Sequence, residues 1–178
     1  MLVCVAALFG VVMFSQSANG GGAPKFSSAY TNLKSQCKAI AKGVAQGDDM
    51  PLRCAGYGGY EVRIDFSAAS SHLGVQSARG NSEDRIALAD QPLDYNVKRK
   101  VEWRLAGGKP FAVIFRVDKA KADLDPAEMW RPENKTGESL LVKGLKGHER
   151  IDFEVDANSP NANAKAREMS DRAYTEGR

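Results

Sequence analysis

Residues 100–117 read KVEWRLAGGKPFAVIFRV. Val101, Trp103 and Leu105 alternate with Lys100, Glu102 and Arg104, the period of two that marks a strand with one buried face. A Gly-Gly pair interrupts the pattern. The segment that follows, Phe111 to Val117, is apolar at almost every position, as expected of a central strand covered on both sides. The two runs make a hairpin. A three-residue connection pairs Trp103 with Val113 and Glu102 with Ile114, and sets Arg116 near Lys100 and diagonal to Glu102. With Val101, Trp103 and Leu105 turned inward, the outward face carries Lys100, Glu102, Arg104 and Arg116. That face is either a salt-bridged sheet surface, solvated or covered by a helix, or a binding face for an anionic or protein partner.

Working back from the hairpin, Ile86 and Leu88 suggest a short strand. A second hairpin is written in Tyr60 to Phe66 (YEVRIDF) and His72 to Ser77, with Val62, Ile64, Leu73 and Val75 facing in. Before it stands CAGYGGY, Cys54 to Tyr60. A phosphate loop runs its glycines directly into a helix N-terminus and follows them with Lys or a hydroxyl residue. Here the glycines run into a strand, so Gly56, Gly58 and Gly59 are expected to form a tight structural corner. Further upstream, Ser28 reads as an N-cap. Tyr30, Leu33, Cys37, Ile40, Ala41 and Val44 then recur at helical spacing and predict a helix closed by Gly43 and Gly47. Working forward, a long polar loop separates the central hairpin from two more strands, Leu140 to Leu145 and Arg150 to Val155. Ser159 and Pro160 then open a C-terminal helix with Ala162, Ala166, Met169 and Ala173 on one face. The expected fold is α+β: an antiparallel sheet with an N-terminal and a C-terminal helix packed on it, in a single domain over 27–178.

The N-terminus has a different character. Leu2 to Phe14 is unbroken apolar sequence, too short to span a bilayer comfortably and of the length of a signal-peptide core. Small and polar residues follow, and the best cleavage site lies after Ser17. This predicts a signal peptide over 1–17, a flexible leader over 18–26, and no membrane span once the signal is removed. No Lys or Arg precedes the apolar run, which keeps an uncleaved anchor open as the alternative. The expected location is the periplasm or the medium. Export would remove Cys4 and leave Cys37 and Cys54, which in an oxidising compartment most simply form one disulfide. In a cytosolic chain they would be two free thiols.

YTNLKSQCKAI, LRCAGYGGYEVRI, VEWRLAGGKPFAVIFRV and NANAKAREMSDRAY together resemble an uncharacterised family of small exported bacterial proteins with a cysteine pair and a Gly-Gly-Tyr corner. The resemblance covers most of Tyr30 to Val117. It implies export and a coherent fold, and it carries no catalytic residues.

The net charge of +3 is small, and the basic stripe or motif that nucleic-acid binding needs is missing. There is no C-x-x-C pair, no H-x-x-x-H pair and no G-x-S-x-G motif, so no cofactor or metal is expected. His72 and His148 fall in different hairpins. Asp123, Asp125 and Glu128 lack the glycine and further ligands of a calcium loop and suit a helix start. The sequence therefore favours an exported, non-enzymatic binding protein, inhibitor-like in form, whose partner is a protein or an envelope component. The alternative is an envelope hydrolase with a carboxylate pair that no motif reveals.

Overall fold

The computed structural model describes residues 24–40, 50–67, 70–80, 82–91 and 99–177. The expected signal peptide, most of the expected leader and residues 41–49, which hold the end of the expected N-terminal helix, lie outside them. Among the described residues, ten strands form two antiparallel five-stranded sheets. The first sheet has the order β1 (Phe26–Asn32), β7 (Lys100–Ala106), β8 (Lys109–Ala120), β9 (Lys135–Gly144), β10 (Asp152–Asp156). The second runs β2 (Cys37–Ala39), β3 (Leu52–Ala55), β4 (Tyr60–Phe66), β5 (Ser71–Ser77), β6 (Ile86–Gln91). Single helical turns, α1 (Leu33–Gln36) and α2 (Pro126–Met129), sit in connections, and one long helix, α3 (Ala162–Glu176), closes the chain. No helix among the described residues is long and apolar enough to cross a membrane.

The two sheets face each other. Val62, Ile64, Leu73, Val75 and Leu88 from the second sheet meet Val101, Trp103, Leu105, Val113, Phe115 and Val117 from the first in one continuous core. Alternating inward residues from two sheets are what fill a sandwich. The outer side of the first sheet is also covered: Ala112, Ile114, Leu140, Val142 and Val155 pack under Ala162 and Ala166 of α3. The protein is thus mainly β, with layers in the order sheet, sheet, helix. This corrects the α+β reading of one sheet between two helices. There are too many inward apolar residues in the 60–91 and 101–117 hairpins for one sheet face, and each hairpin joins its own sheet.

The N-terminal helix is the main error of the sequence reading. Residues 26–32 form β1, and each of them pairs with a residue of β7, from Phe26 opposite Ala106 to Asn32 opposite Lys100. Ser, Tyr and Thr in this segment are indifferent helix formers, so the long-range ladder overrides a spacing that only resembled a helix face. Two residues of that supposed inner face, Tyr30 and Ile40, are among the most exposed large apolar side chains. Among the described residues of that segment only α1 is helical, started by Asn32, whose side-chain oxygen accepts from the Lys34 amide at 3.0 Å.

The central hairpin has the expected register, with Trp103 opposite Val113 and Glu102 opposite Ile114, but reaches it differently. The turn is two residues, Gly107 and Gly108, both at positive φ (57° and 80°), which suits the twist of a tight hairpin. A bulge at Phe111 then supplies the missing residue. The bulge also turns the Phe111 ring to the helix side, away from the core shared by Val113 and Phe115.

Cys37 and Cys54 form a disulfide. They are register partners on β2 and β3, so the bond staples two neighbouring strands, where a helix-to-corner link was expected. The glycine corner is structural. Gly58 has φ +59°, and a Cβ there would come within 2.6 Å of the Pro110 ring, so the corner of one sheet sits directly on the turn of the other. Gly59 accepts a hydrogen bond from the Ala78 amide at 2.8 Å, which ties the corner to the end of β5.

Candidate functional site

Strand parity places Lys100, Glu102 and Arg104 of β7 on the outer side of the first sheet, together with Ile114 and Arg116 of β8. Ser28 and Tyr30 join them from β1, because Ser28 pairs with Arg104 and Tyr30 with Glu102. Leu140 joins from β9, opposite Arg116. The four residues of the expected binding face do share one side of the sheet, but α3 divides them.

Arg104 and Glu102 lie beneath the helix. The Arg104 guanidinium, only 6% exposed, grips Asp171 of α3 with both ends of its fork, Nε to Oδ1 at 3.1 Å and Nη2 to Oδ2 at 2.5 Å. Arg167, one turn earlier on α3, makes a matching fork onto Glu102, Nε to Oε1 at 2.6 Å and Nη2 to Oε2 at 3.1 Å. Ser28 links the two pairs: its hydroxyl accepts from Arg104 at 2.6 Å and donates to Glu102 at 2.6 Å. The hydrogen bonds that Arg167 donates to Glu102 hold its pKa above the ordinary value. Buried charges persist when each is paired and its remaining hydrogen bonds are satisfied, and this network meets that condition. Arg104 is therefore a seat for the helix, and the expectation that it belongs to an open face does not hold.

Beyond the first turn of α3 the helix leaves Lys100 and Arg116 accessible. Here Tyr30, Arg99, Lys100, Glu102, Arg116 and Glu138 surround a recess of about 360 Å³. Ile114 and Leu140 also line it, and Asn163 and Arg167 close it on the helix side. Three of the four sequence-predicted residues, Lys100, Glu102 and Arg116, thus line a single cavity. Lys100 is exposed, has no carboxylate partner among the described residues, and holds its ammonium 5.8 Å from the centre of the Tyr30 ring. Arg116, 38% exposed, donates to Glu138 at 2.9 Å. Arg99 reaches Asp118 at 2.7 Å and the Arg116 carbonyl at 2.9 Å, while its Nε is buried with no partner among the described residues. Lys135 lies 2.7 Å from Asp118 and 3.3 Å from Glu138. Burial would raise the Asp118 pKa, but the hydrogen bonds and charges of Lys135 and Arg99 outweigh it and hold that carboxyl below its ordinary value.

The charge count at this end is unbalanced. Arg167 and Glu102 neutralise each other. Among the described residues, Arg99, Lys100, Arg116 and Lys135 then share Asp118 and Glu138. The excess of positive charge these residues leave around the recess is a place for an anion.

The other sequence candidates are accounted for differently. His72 contacts Asp90 at 3.0 Å on the second sheet, while His148 stacks with Tyr174 at 5.0 Å in the turn after β9, so no histidine pair forms. Glu128 is engaged by Arg131 at 2.6 Å. Among the described residues no group of three or more His, Cys, Asp or Glu is placed to hold a metal ion. Sequence reasoning missed Tyr30, Arg99, Glu138 and Arg167. Tyr30 becomes a neighbour of Glu102 only once residues 26–32 are known to be a strand, and Glu138 was assigned to a polar loop.

No family model matches the chain, and no solved structure matches it. Among curated proteins, it is 27% identical over 131 residues to chloroplastic plastocyanin of Pisum sativum, a match covering 67% of this chain and 78% of that one. Identity at this level is a similarity and does not place the chain in that family.

Proposed function

We propose that this chain is an exported, non-enzymatic binding module, and that it engages a protein or envelope component through the recess on the outer side of the first sheet. The observation that carries this reading is the pairing of exposed, incompletely neutralised Lys100 and Arg116 with a concave surface on a rigid sheet. Sites on strands held from both sides are preorganised, so little conformational entropy is lost on binding. The disulfide supports an oxidising compartment, and the apolar N-terminal run supports export to the periplasm or the medium. A hydrolytic carboxylate pair would need one carboxyl held above its ordinary pKa. Among the described residues, the carboxylates with displaced values, Asp118, Glu149 and Glu154, are all lowered, so none of these three is the raised acid such a pair needs.

The test is capture of partners from the envelope fraction or medium of the source cells by the mature protein, set beside a Lys100→Glu/Arg116→Glu variant. Both positions are at least partly exposed, so the variant is expected to fold. Loss of a specifically retained component in the folded variant supports the reading, because two attractive charges have become repulsive. Equal retention by both proteins removes the recess as the binding surface.

A further inference from the structure

The proposed binding role leaves open what chemistry the recess selects, and its lining answers that in some detail. Ile114 and Leu140 lie at its bottom but are already buried, at 3% and 2% exposure, so the apolar surface it offers is the exposed Tyr30 ring at one side. The charges sit around the recess, and most are already engaged. The Arg167 fork is filled by Glu102, and Arg116 shares Glu138. What remains available is the Lys100 ammonium, 5.8 Å from the centre of the Tyr30 ring, and the part of Arg116 that Glu138 does not occupy. This is positive charge for one monoanion. A phosphate dianion would call for free arginine forks and a wetter, fully polar lining. At about 360 Å³ the recess is near the lower end of ligand-site volumes, the size of one or two side chains and far below a groove for a folded surface.

We propose that the recess is the docking site for a single acidic residue of a partner protein, presented on an exposed loop beside an apolar residue. The carboxylate bridges Lys100 and Arg116, and the neighbouring apolar side chain packs on the exposed Tyr30 ring. This rests on the binding-module reading and specifies the partner's side of it. Charge complementarity of this kind sets specificity and steers encounter, so the affinity falls as salt is raised.

The experiment pans random linear peptides displayed on phage against the full mature protein, with a Lys100→Gln/Arg116→Gln variant as counter-target. Enrichment of peptides carrying Asp or Glu next to an apolar residue, lost on the variant, is the expected result. For one synthesised winner, replacing its acidic residue by the amide should weaken binding about tenfold, and Lys100→Gln or Arg116→Gln alone about three- to tenfold. A Tyr30→Ala variant should weaken the same peptide while leaving its salt dependence in place. Winners without an acidic residue, winners retained equally by the variant, or no enrichment at all would overturn the proposal. The outcomes also separate the two levels. Partner capture that depends on Lys100 and Arg116, with no acidic signature in the peptides, keeps the binding role and discards the acidic residue. Acidic peptides selected by the recess, with charge-independent capture from cells, discards the role and keeps the recognition.

Discussion

Replacing Asp171 by alanine should unseat α3. The carboxylate is the main partner of the Arg104 guanidinium, whose side chain is 6% exposed against 21% for Asp171. Removing one member of a fully buried pair costs about 3–5 kcal/mol, because the other charge is left without compensation. Two features reduce that figure. Asp171 lies near enough to the surface for water to replace part of it, and Arg104 keeps its bond to the Ser28 hydroxyl. A loss of about 2–3 kcal/mol is therefore expected, in line with removal of a charge-assisted bond whose donor stays buried. Arg104→Met in the same background removes the stranded charge, so the double variant should recover part of the loss, with a coupling of about 1–3 kcal/mol. The assay is urea unfolding of the wild type, both single variants and the double variant, with Trp103 fluorescence as the core probe and far-ultraviolet dichroism following the helix. A cost below about 0.5 kcal/mol for Asp171→Ala, with no coupling to Arg104, would refute the claim that this pair seats the helix.

Three further outcomes follow from the same structure. Trp103→Ala removes a fully buried ring whose indole donates to Thr31 at 2.9 Å and should cost about 3–5 kcal/mol in the same melts. Reducing the Cys37–Cys54 bond reopens a loop with a sequence separation of 17 and should cost roughly 3 kcal/mol, a fall in Tm of about 6–12 °C for a domain of this size. Intact mass with and without reductant checks that the bond was present. The third concerns pH. Burial, followed by the charge of Arg150 and against the pull of Glu149, lowers the His148 pKa below its ordinary value. A His with a lowered folded pKa is more readily protonated in the unfolded chain. Its contribution to stability is therefore full above the unfolded pKa, near 6.5, and lost as pH falls through the folded value. His148→Phe, which keeps a ring against Phe111 and Tyr174, should flatten that part of the stability profile. An unchanged slope would mean that another group titrates there.

Much of the sandwich was legible wherever a period of two was backed by dense apolar residues. β4, β5 and β7 came directly from alternation and β8 from its apolar run, while the Trp103–Val113 register came from an assumed three-residue connection that a two-residue turn and a bulge together reproduce. The N-terminal segment was not legible. Tyr30, Leu33 and Cys37 fit a helix by spacing alone, and what decides against it is a partner strand some seventy residues away that local sequence does not reveal. That one error hid two facts about the site. Without β1 there was no reason to bring Tyr30 to Glu102 or Ser28 to Arg104. The division of the outer face was hidden for a different reason. Lys100, Glu102, Arg104 and Arg116 are equivalent in the strand pattern, and only the position of α3, which packs a narrow alanine face over one end of the sheet, decides which of them stay open.

The division of that face can be measured directly by arginine footprinting, with brief phenylglyoxal treatment of the native protein followed by mass spectrometry of the peptides. Arg116 at the open recess should be modified in the folded protein, and Arg104 beneath α3 should remain unmodified until the protein is unfolded. Labelling of Arg104 as fast as Arg116 in the native state would contradict it, and would mean that the helix leaves the whole face exposed.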